Sequence, residues 1–562
     1  MKVALLQFNS LVGGVAQNLE KISKKIREIS SVADLLVLPE LALLGYPPKD
    51  LLALPHYLAA EEAALMDLAK LSGELKMGIL VSHCERSVEA PKGLWNSATL
   101  FDKGQNLGSV RKSRLPFYDI FEEERFFSPY EKTQSNIFFR GKQLGIYICE
   151  DAWDDFLGFG KNDRRHHPTH NSSIARLKEA DLIINLSASP FCVGKSFQRH
   201  ELFQKTAKLL GKPLLYINSW GAQDDIIFDG RSFAVDSEGQ LIAEAKAFAE
   251  DVLMVKPFEK NPAAEIQVPE RWTEISDALI LGVRDYAQKS GFKKIILGMS
   301  GGIDSALVCW IAAKALGPKN VIAVSMPTQF NSAETRSDAA SISKNLRVEF
   351  REIPIQDSVD LYAKTLQIPN SGLTFENLQS RVRGTILMAL SNESGALLLA
   401  CGNKSELAMG YATLYGDMCG GLLPIGDLFK TDVFGLCRWI NQQLNQQKNQ
   451  LDNLAPFPDS IITRPPSAEL APGQKDSDSL PDYSILDAYL EDFIEDQGRH
   501  AIEWKNFPDP KTNGHDLYKK FARQEFKRRQ AAPILKVRTR SFGSGWHMPL
   551  AKSDGIPPKG NG

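Results

Sequence analysis

Two stretches of the 562-residue chain carry residue types that do chemistry at short spacing. The first is LGMSGGIDSALV at 297–308, between the apolar run KKIILG and a helical pattern. Its glycines and Ser300 let backbone N–H groups wrap closely around an anion, and a helix start adds the positive end of its dipole. Asp304 supplies a carboxylate for a cation, and Ser305 a hydroxyl. The loop has neither the Lys of G-x-x-x-x-G-K-[ST] nor the spacing of G-x-G-x-x-G, so a plain strand-to-helix turn capped by Asp304 is the competing reading. The second stretch, KQLGIYICEDAW, puts Cys149 at the end of an alternating, strand-like run. A thiol there is either a small buried hydrophobe or a nucleophile, and a nucleophile needs a neighbouring base or cation. Glu40, ending DLLVLPE, and Lys112, near the end of GSVRKSRLP, are such groups. A carboxylate can take the thiol proton, and a fixed ammonium can stabilise developing negative charge.

These groups need scaffolds. Over residues 1–255, short β-rich runs (VALLQF, DLLVLPE, MGILVSHCE, SATLFD, KQLGIYICED, ADLIINLSAS, KPLLYINSW, RSFAVDS) are interleaved with helical segments, which predicts an α/β or α+β sandwich. Residues 256–270 hold three prolines and little periodicity and read as a linker. From 271 the grammar changes. A long helical pattern leads to KKIILG, the Gly/Ser loop, a helix ended by Gly317-Pro318, and the strand NVIAVSMP. That order implies a right-handed βαβ unit in a parallel sheet. Residues 465–482, rich in Pro, Ser and Asp, read as a mobile loop, and 546–562 as a flexible tail.

SGGIDS after a strand resembles the pyrophosphate-binding loop of the ATP pyrophosphatase superfamily. ENLQSRVRG (376–384), CGNKSELAMGYATLYGD (401–417), LLPIGDLFKTDV (422–433) and RPPSAEL (464–470) narrow the resemblance to its NAD synthetase branch, over most of 271–545. The resemblance implies a Rossmann-like parallel sheet. It implies ATP contacts at Gly298, Met299, Ser300, Gly301, Gly302, Ile303, Asp304, Ser305, Cys401 and Lys430. It also implies Mg²⁺ ligands at Asp304 and Glu406, and deamido-NAD⁺ contacts at Asn377, Glu406 and Lys527. Cys401 stands where many relatives have Thr, and Gly421 where ammonia-using relatives often have an acidic residue.

In the first half, LPE (38–40), K-x-x-LP-x-Y (112–118) and CED-x-W (149–153) resemble the nitrilase family's Glu–Lys–Cys triad. That resemblance implies an αββα sandwich, with Glu40 as general base, Lys112 on the oxyanion and Cys149 forming a thioester. Glu123 falls where the family has a second Glu. Tyr118, Ser189 and Lys195 fall at glutamine-holding positions, Lys195 replacing an Arg of some relatives. Together the resemblances imply ATP-dependent amidation of deamido-NAD⁺ with ammonia released from glutamine. They also imply shielded transfer of that ammonia within a homo-oligomer.

Composition sets the outer bounds. The formal charge of −2 (66 basic, 68 acidic residues) argues against a chain-wide nucleic-acid coat. The segment 517–540 holds nine Lys/Arg against Glu525, which reads as a solvated helix offering charge to dinucleotide phosphates rather than as a nucleic-acid patch. Seven scattered cysteines suit a reducing cytoplasm, and no apolar run reaches membrane-spanning length. Rivals are another pyrophosphatase amidotransferase, a tRNA-modifying enzyme, and an ammonia-only synthetase with an inert nitrilase domain. Hydrolysis by histidine (His83, His166, His167, His200) is a further one.

Overall fold

The computed structural model describes residues 1–153, 175–260, 262–265, 269–446, 455–478, 480–495 and 512–553. His166 and His167 lie outside them. The chain divides into two compact units, Met1–Arg271 and Trp272–Gly562.

The first unit holds two six-stranded sheets. One is built from β1 (Val3–Gln7), β2 (Leu35–Val37), β3 (Gly78–Arg86), β4 (Leu94–Asp102), β5 (Gln105–Arg111) and β14 (Asp251–Val255). Its strand order is β14-β1-β2-β3-β4-β5. The other is built from β6 (Ile137–Phe139), β7 (Lys142–Ile148), β8 (Leu182–Ser187), β9 (Leu214–Asn218), β12 (Phe233–Val235) and β13 (Leu241–Glu244). Its order is β13-β12-β9-β8-β7-β6. β10 (Trp220–Gln223) and β11 (Ile226–Asp229) form a separate hairpin.

Inward side chains of both sheets, such as Leu5, Val37, Leu80, Ile146, Leu186 and Ile217, form one buried layer. The outer face of the first sheet packs under α1 (Val15–Ile29) and α2 (Pro55–Leu75). The second sheet packs under α4 (Lys195–Leu210). A short α3 (Glu123–Phe126) lies near the sheet ends. The layers are therefore αββα. This explains why β7 is buried at every residue from Leu144 to Ile148 rather than alternating: both its faces are covered.

The second unit is built on the parallel strands β15 (Ile295–Gly298), β16 (Val321–Ser325), β17 (Glu349–Glu352) and β18 (Leu397–Leu399). They pair in the order β17-β16-β15-β18. Helices α5 (Arg271–Lys289), α6 (Ile303–Leu316), α7 (Ala333–Asn345), α8 (Gln356–Leu366) and α9 (Leu373–Ser394) surround the sheet. α10 (Lys404–Met409), α11 (Lys430–Gln446), α12 (Asp459–Thr463), α13 (Tyr483–Glu495), α14 (Gly514–Arg523) and α15 (Glu525–Arg528) complete the unit. Strand order reverses between β15 and β18, and a crevice beyond their carboxyl ends is the expected ligand position in such a sheet.

Three expectations need correction. The 546–562 tail starts too early, because Trp546 is buried against Phe521 and Phe542; residues 554–562 lie outside the described chain. The 465–482 segment is held rather than free: Glu469 accepts from Asn331 and Thr335, and Leu470 O accepts from Gln379. The basic C-terminal segment is largely internal wiring. Arg528 caps the carbonyls of Leu407 and Ala408, and Lys536 those of Arg538 and Thr539, while Arg538 pairs with Asp432, Glu491 and Glu495.

Candidate functional site

In the first unit the site groups arrive from strand ends. Lys112 directly follows β5, Cys149 directly follows β7, and Glu40 lies just past β2. Lys112 has no exposed surface, and its Nζ donates to Glu40 Oε1 (2.7 Å) and to both oxygens of Glu123 (2.8 and 2.7 Å). Glu40 also accepts from Asn96 Nδ2 (2.8 Å) and the Ala188 N–H (3.1 Å). The Tyr46 hydroxyl donates to Glu123 (2.7 Å). Every polar atom of this buried cluster thus has a partner, as burial requires.

Cys149 opens the 3-10 turn Cys149–Ala152 with φ +45°, a left-handed conformation costly for a residue with a Cβ. Leu41, next to Glu40, and Asp119, next to Tyr118, also have positive φ (+48° and +54°). Cys149 itself, and the neighbours of Glu40 and Tyr118, are thus held in left-handed backbone.

The electrostatics favour a resting thiol. Burial first, then the Glu40 carboxylate, push the Cys149 thiol well above its ordinary value, with Lys112 opposing. Burial is also the largest influence on Lys112, lowering it, but Glu123 and Glu40 together hold its ammonium well above the usual range. Burial and the nearby Glu40 raise the Glu123 carboxyl to about 7. A proton on sulfur, a carboxylate and a permanent cation are thus gathered at one point.

The other residues expected here converge on the same place. Tyr118 donates to Glu150 Oε2 (3.0 Å), and the Ser189 N–H donates to Asn218 Oδ1 (2.8 Å). Lys195 begins α4. Burial lowers its ammonium, while Cys192, Cys149 and Glu150 lie close enough to oppose that. His83 pairs with Thr99 instead, and His200 lies against Phe233. Sequence reasoning passed over Asn96 and Tyr46, and gave Asp151 no role although it lies in the CED-x-W stretch; the contacts of all three join segments far apart in the chain.

In the second unit, a cavity of about 310 Å³ opens at the switch point between β15 and β18. All of Gly298–Ser305 line it, together with Cys401, Glu406 and Lys430. Gly302 is the N-cap of α6 and offers no side chain, so the first N–H groups of the helix stay open to the cavity. Gly301 has φ +84° and packs so tightly on Thr335 that a Cβ would lie 2.1 Å from its carbonyl oxygen.

Lys430 Nζ donates to Asp304 (2.5 Å) and Glu406 (3.1 Å). Asn403 caps α10 and also donates to Asp304 Oδ1 (2.9 Å). Burial raises the Glu406 carboxyl to about 8, with Asp304 and Asp476 adding to the rise and Lys430 opposing it. Three carboxyl groups thus share one ammonium at the mouth of a phosphate-sized loop, and burial pushes Glu406 and Asp476 towards their protonated forms. Asp304 and Glu406 offer hard oxygen donors of the kind Mg²⁺ takes, while among the described residues no group of three or more His, Cys, Asp or Glu is gathered as for a metal ion.

Cys401 directs its thiol at Gly298 O (3.9 Å), and burial raises it far from reactivity. Asn377 and Lys527 do not line this cavity. Asn377 Oδ1 accepts from Thr413, and Lys527 donates to the carbonyls of Gly410 and Ala412 (2.7 Å each), so both meet at the 410–413 loop. Arg383, inside the 376–384 stretch, and Asp476 also line the cavity, although the sequence reading gave neither a role.

Comparison with known proteins matches both units. The carbon-nitrogen hydrolase model matches residues 2–256, and the NAD synthase model residues 275–531. The chain is 42% identical to the glutamine-dependent NAD(+) synthetase of Synechocystis sp., and 37% to that of Thermotoga maritima, with 98% of each chain covered in both cases. Among solved structures, the glutamine-dependent NAD+ synthetase of Acinetobacter baumannii in complex with ADP matches at 33% identity. Its TM-score is 0.72, over 98% of both chains. Two family models, one in each unit, and three full-length likenesses thus agree: the chain belongs to the glutamine-dependent NAD(+) synthetase family.

Proposed function

We propose that the chain makes NAD⁺ from deamido-NAD⁺, ATP and glutamine, releasing AMP, pyrophosphate and glutamate. The observation that carries this is the closed Glu40–Lys112–Glu123 cluster beside a strained Cys149, on a chain whose second unit holds the open Gly298–Ser305 loop. In the first unit, Cys149 Sγ attacks the side-chain amide carbonyl of glutamine while Glu40 takes the thiol proton. Lys112 stabilises the oxyanion. Ammonia leaves with a proton returned by Glu40, and water hydrolyses the thioester to glutamate. Tyr118, Ser189 and Lys195 hold the amino-acid end of the substrate.

In the second unit, the nicotinate carboxylate attacks the α-phosphorus of ATP and pyrophosphate leaves. Ammonia then attacks the acyl-adenylate carbonyl, and AMP leaves with the bonding pair. The Gly298–Ser305 loop and Lys430 hold the ATP phosphates, Cys401 lies at the ATP side, and Asn377, Glu406 and Lys527 serve the dinucleotide. Asp304 and Glu406 would hold Mg²⁺, which when bound neutralises phosphate charge. Domain limits at 255 and 271 are supported by the strand β14 ending at Val255 and the helix α5 starting at Arg271.

The chain works as a homo-oligomer in this reading, supported by exposed Leu361, Tyr362 and Leu366 on α8 and Leu373 on α9. A cytoplasmic site of action is supported by the seven unpaired cysteines. Among the described residues no helix is long and apolar enough to cross a membrane. The test is the Cys149→Ala variant. It should lose glutamine-supported synthesis and keep synthesis from ammonium salt; equal loss with both donors would reject the division of labour.

A further inference from the structure

We propose that Asp151 is a positioning residue for glutamine hydrolysis, fastening the strand end that carries Lys112 to the turn that carries Cys149. The inference rests on the roles given above to Lys112 and Cys149. Those two residues come from different sheets: β5 is an edge of one, β7 lies inside the other, and β5 and β7 share no backbone ladder. Strand pairing therefore does not fix the ammonium relative to the thiol.

The Asp151 carboxylate spans that gap. Its Oδ1 accepts the N–H groups of Ser113 (3.0 Å) and Arg114 (2.8 Å), the two residues after Lys112. Its Oδ2 accepts the N–H of Ile148 (3.2 Å), the residue before Cys149. The side chain is 1% exposed, so these three bonds replace water and none of the N–H groups has solvent as an alternative. A second stitch runs beside it, from Arg114 Nη1 to the Trp153 carbonyl (2.6 Å). Cys149 itself sits in a left-handed conformation that persists only where its surroundings over-determine it.

The chemistry is sensitive to this spacing, because a catalytic group displaced by about 1 Å costs roughly 100-fold in rate. Substitution separates the three bonds. In Asp151→Asn the amide oxygen still accepts from Ser113 and Arg114, while its NH₂ faces the Ile148 N–H, donor against donor. Asp151→Ala removes all three bonds. None of Tyr118, Ser189 and Lys195 is bonded to Asp151 among the contacts described, so glutamine affinity should be little changed.

The experiment measures glutamate release by the full-length protein as wild type, Asp151→Asn, Asp151→Ala and Cys149→Ala, with Tm recorded for each. The expected result is a kcat lower by about 10-fold in Asp151→Asn and about 100-fold in Asp151→Ala, with KM for glutamine within about threefold of wild type. A wild-type kcat in Asp151→Asn overturns the inference even if Asp151→Ala fails to fold. So does a raised KM at unchanged kcat. Glutaminase activity surviving in Cys149→Ala would instead overturn the underlying assignment, so the two failures are distinguishable.

Discussion

Gly301→Ala tests the phosphate-loop assignment most directly. Gly301 has φ +84°, and a Cβ added there would lie 2.1 Å from Thr335 O and 2.9 Å from Thr335 C. Real Cβ atoms essentially never approach a heavy atom within 3.0 Å, so something must move by close to an ångström. The obstacle is backbone in the first turn of α7, which is pinned by the Ser332 cap and by Glu469 accepting from Thr335. The loop is therefore what yields, and left-handed strain adds about 1–2 kcal/mol. A displacement of about 1 Å corresponds to roughly 100-fold in rate, or about 2.7 kcal/mol. The assay is NAD⁺ formation with ammonium and with glutamine, alongside glutamate release without ATP. Both synthetic rates should fall together by about 100-fold, while glutamate release stays within about twofold. Gly302→Ala is the control: its Cβ meets only Ser300 Oγ at 3.3 Å, at ordinary φ, and it should lose far less. Ammonium-supported synthesis in Gly301→Ala within about threefold of wild type would refute the assignment.

Removing divalent cations with a chelator should stop AMP and pyrophosphate release yet leave glutamine hydrolysis running; equal inhibition of both would place the cation requirement elsewhere. Arg199→Met should destabilise the first unit by about 3–5 kcal/mol, because it strands the fully buried Asp229 that Arg199 Nη2 holds at 2.5 Å; a Tm unchanged by calorimetry would contradict this. Burial raises the Glu61 carboxyl to about 7, so the folded state binds its proton more tightly than the unfolded chain does. Stability from this group is present at low pH and is lost as pH rises from the unfolded value towards 7. Glu61→Gln should thus gain on wild type between about pH 5 and pH 8 by about 2–3 kcal/mol, read as a widening Tm difference; a constant difference would reject the argument.

What could be read from the chain alone was local. The Gly301–Asp304 turn follows from residue types that permit only certain backbones, and Glu40, Lys112 and Cys149 each sit at or just past a strand end. Short edge strands such as β6, β13 and β14 were not legible, since three to five residues carry little periodicity. Asn96 and Tyr46 converge on Glu40 and Glu123 only through the packing of strands and loops, which no short window encodes; Glu123 itself was legible, but only through the family resemblance. The basic C-terminal segment shows the same limit for charge. Counting nine cations cannot tell that Arg528, Lys536 and Arg538 point inward to carbonyls and carboxylates.

The two sites use one motif, a lysine shared among carboxylates, to opposite ends. Lys112, Glu40 and Glu123 are all buried and are satisfied by Asn96, the Ala188 N–H and Tyr46. Such a cluster has no open valence for an added ion, and its charge is available only to a group that forms within it, as an oxyanion does. Around Lys430, by contrast, Asp304 and Glu406 keep 18% of their side-chain surface exposed and Asp476 stands near, at the edge of a cavity. There one ammonium is shared by three carboxyl groups, of which burial pushes Glu406 and Asp476 towards the protonated form, so the cluster's charge depends on what enters the cavity. The closed cluster suits chemistry on a neutral amide, where charge appears only in the transition state. The open one borders the Gly298–Ser305 loop and the α6 start, whose backbone N–H groups suit a substrate that arrives already carrying several negative charges.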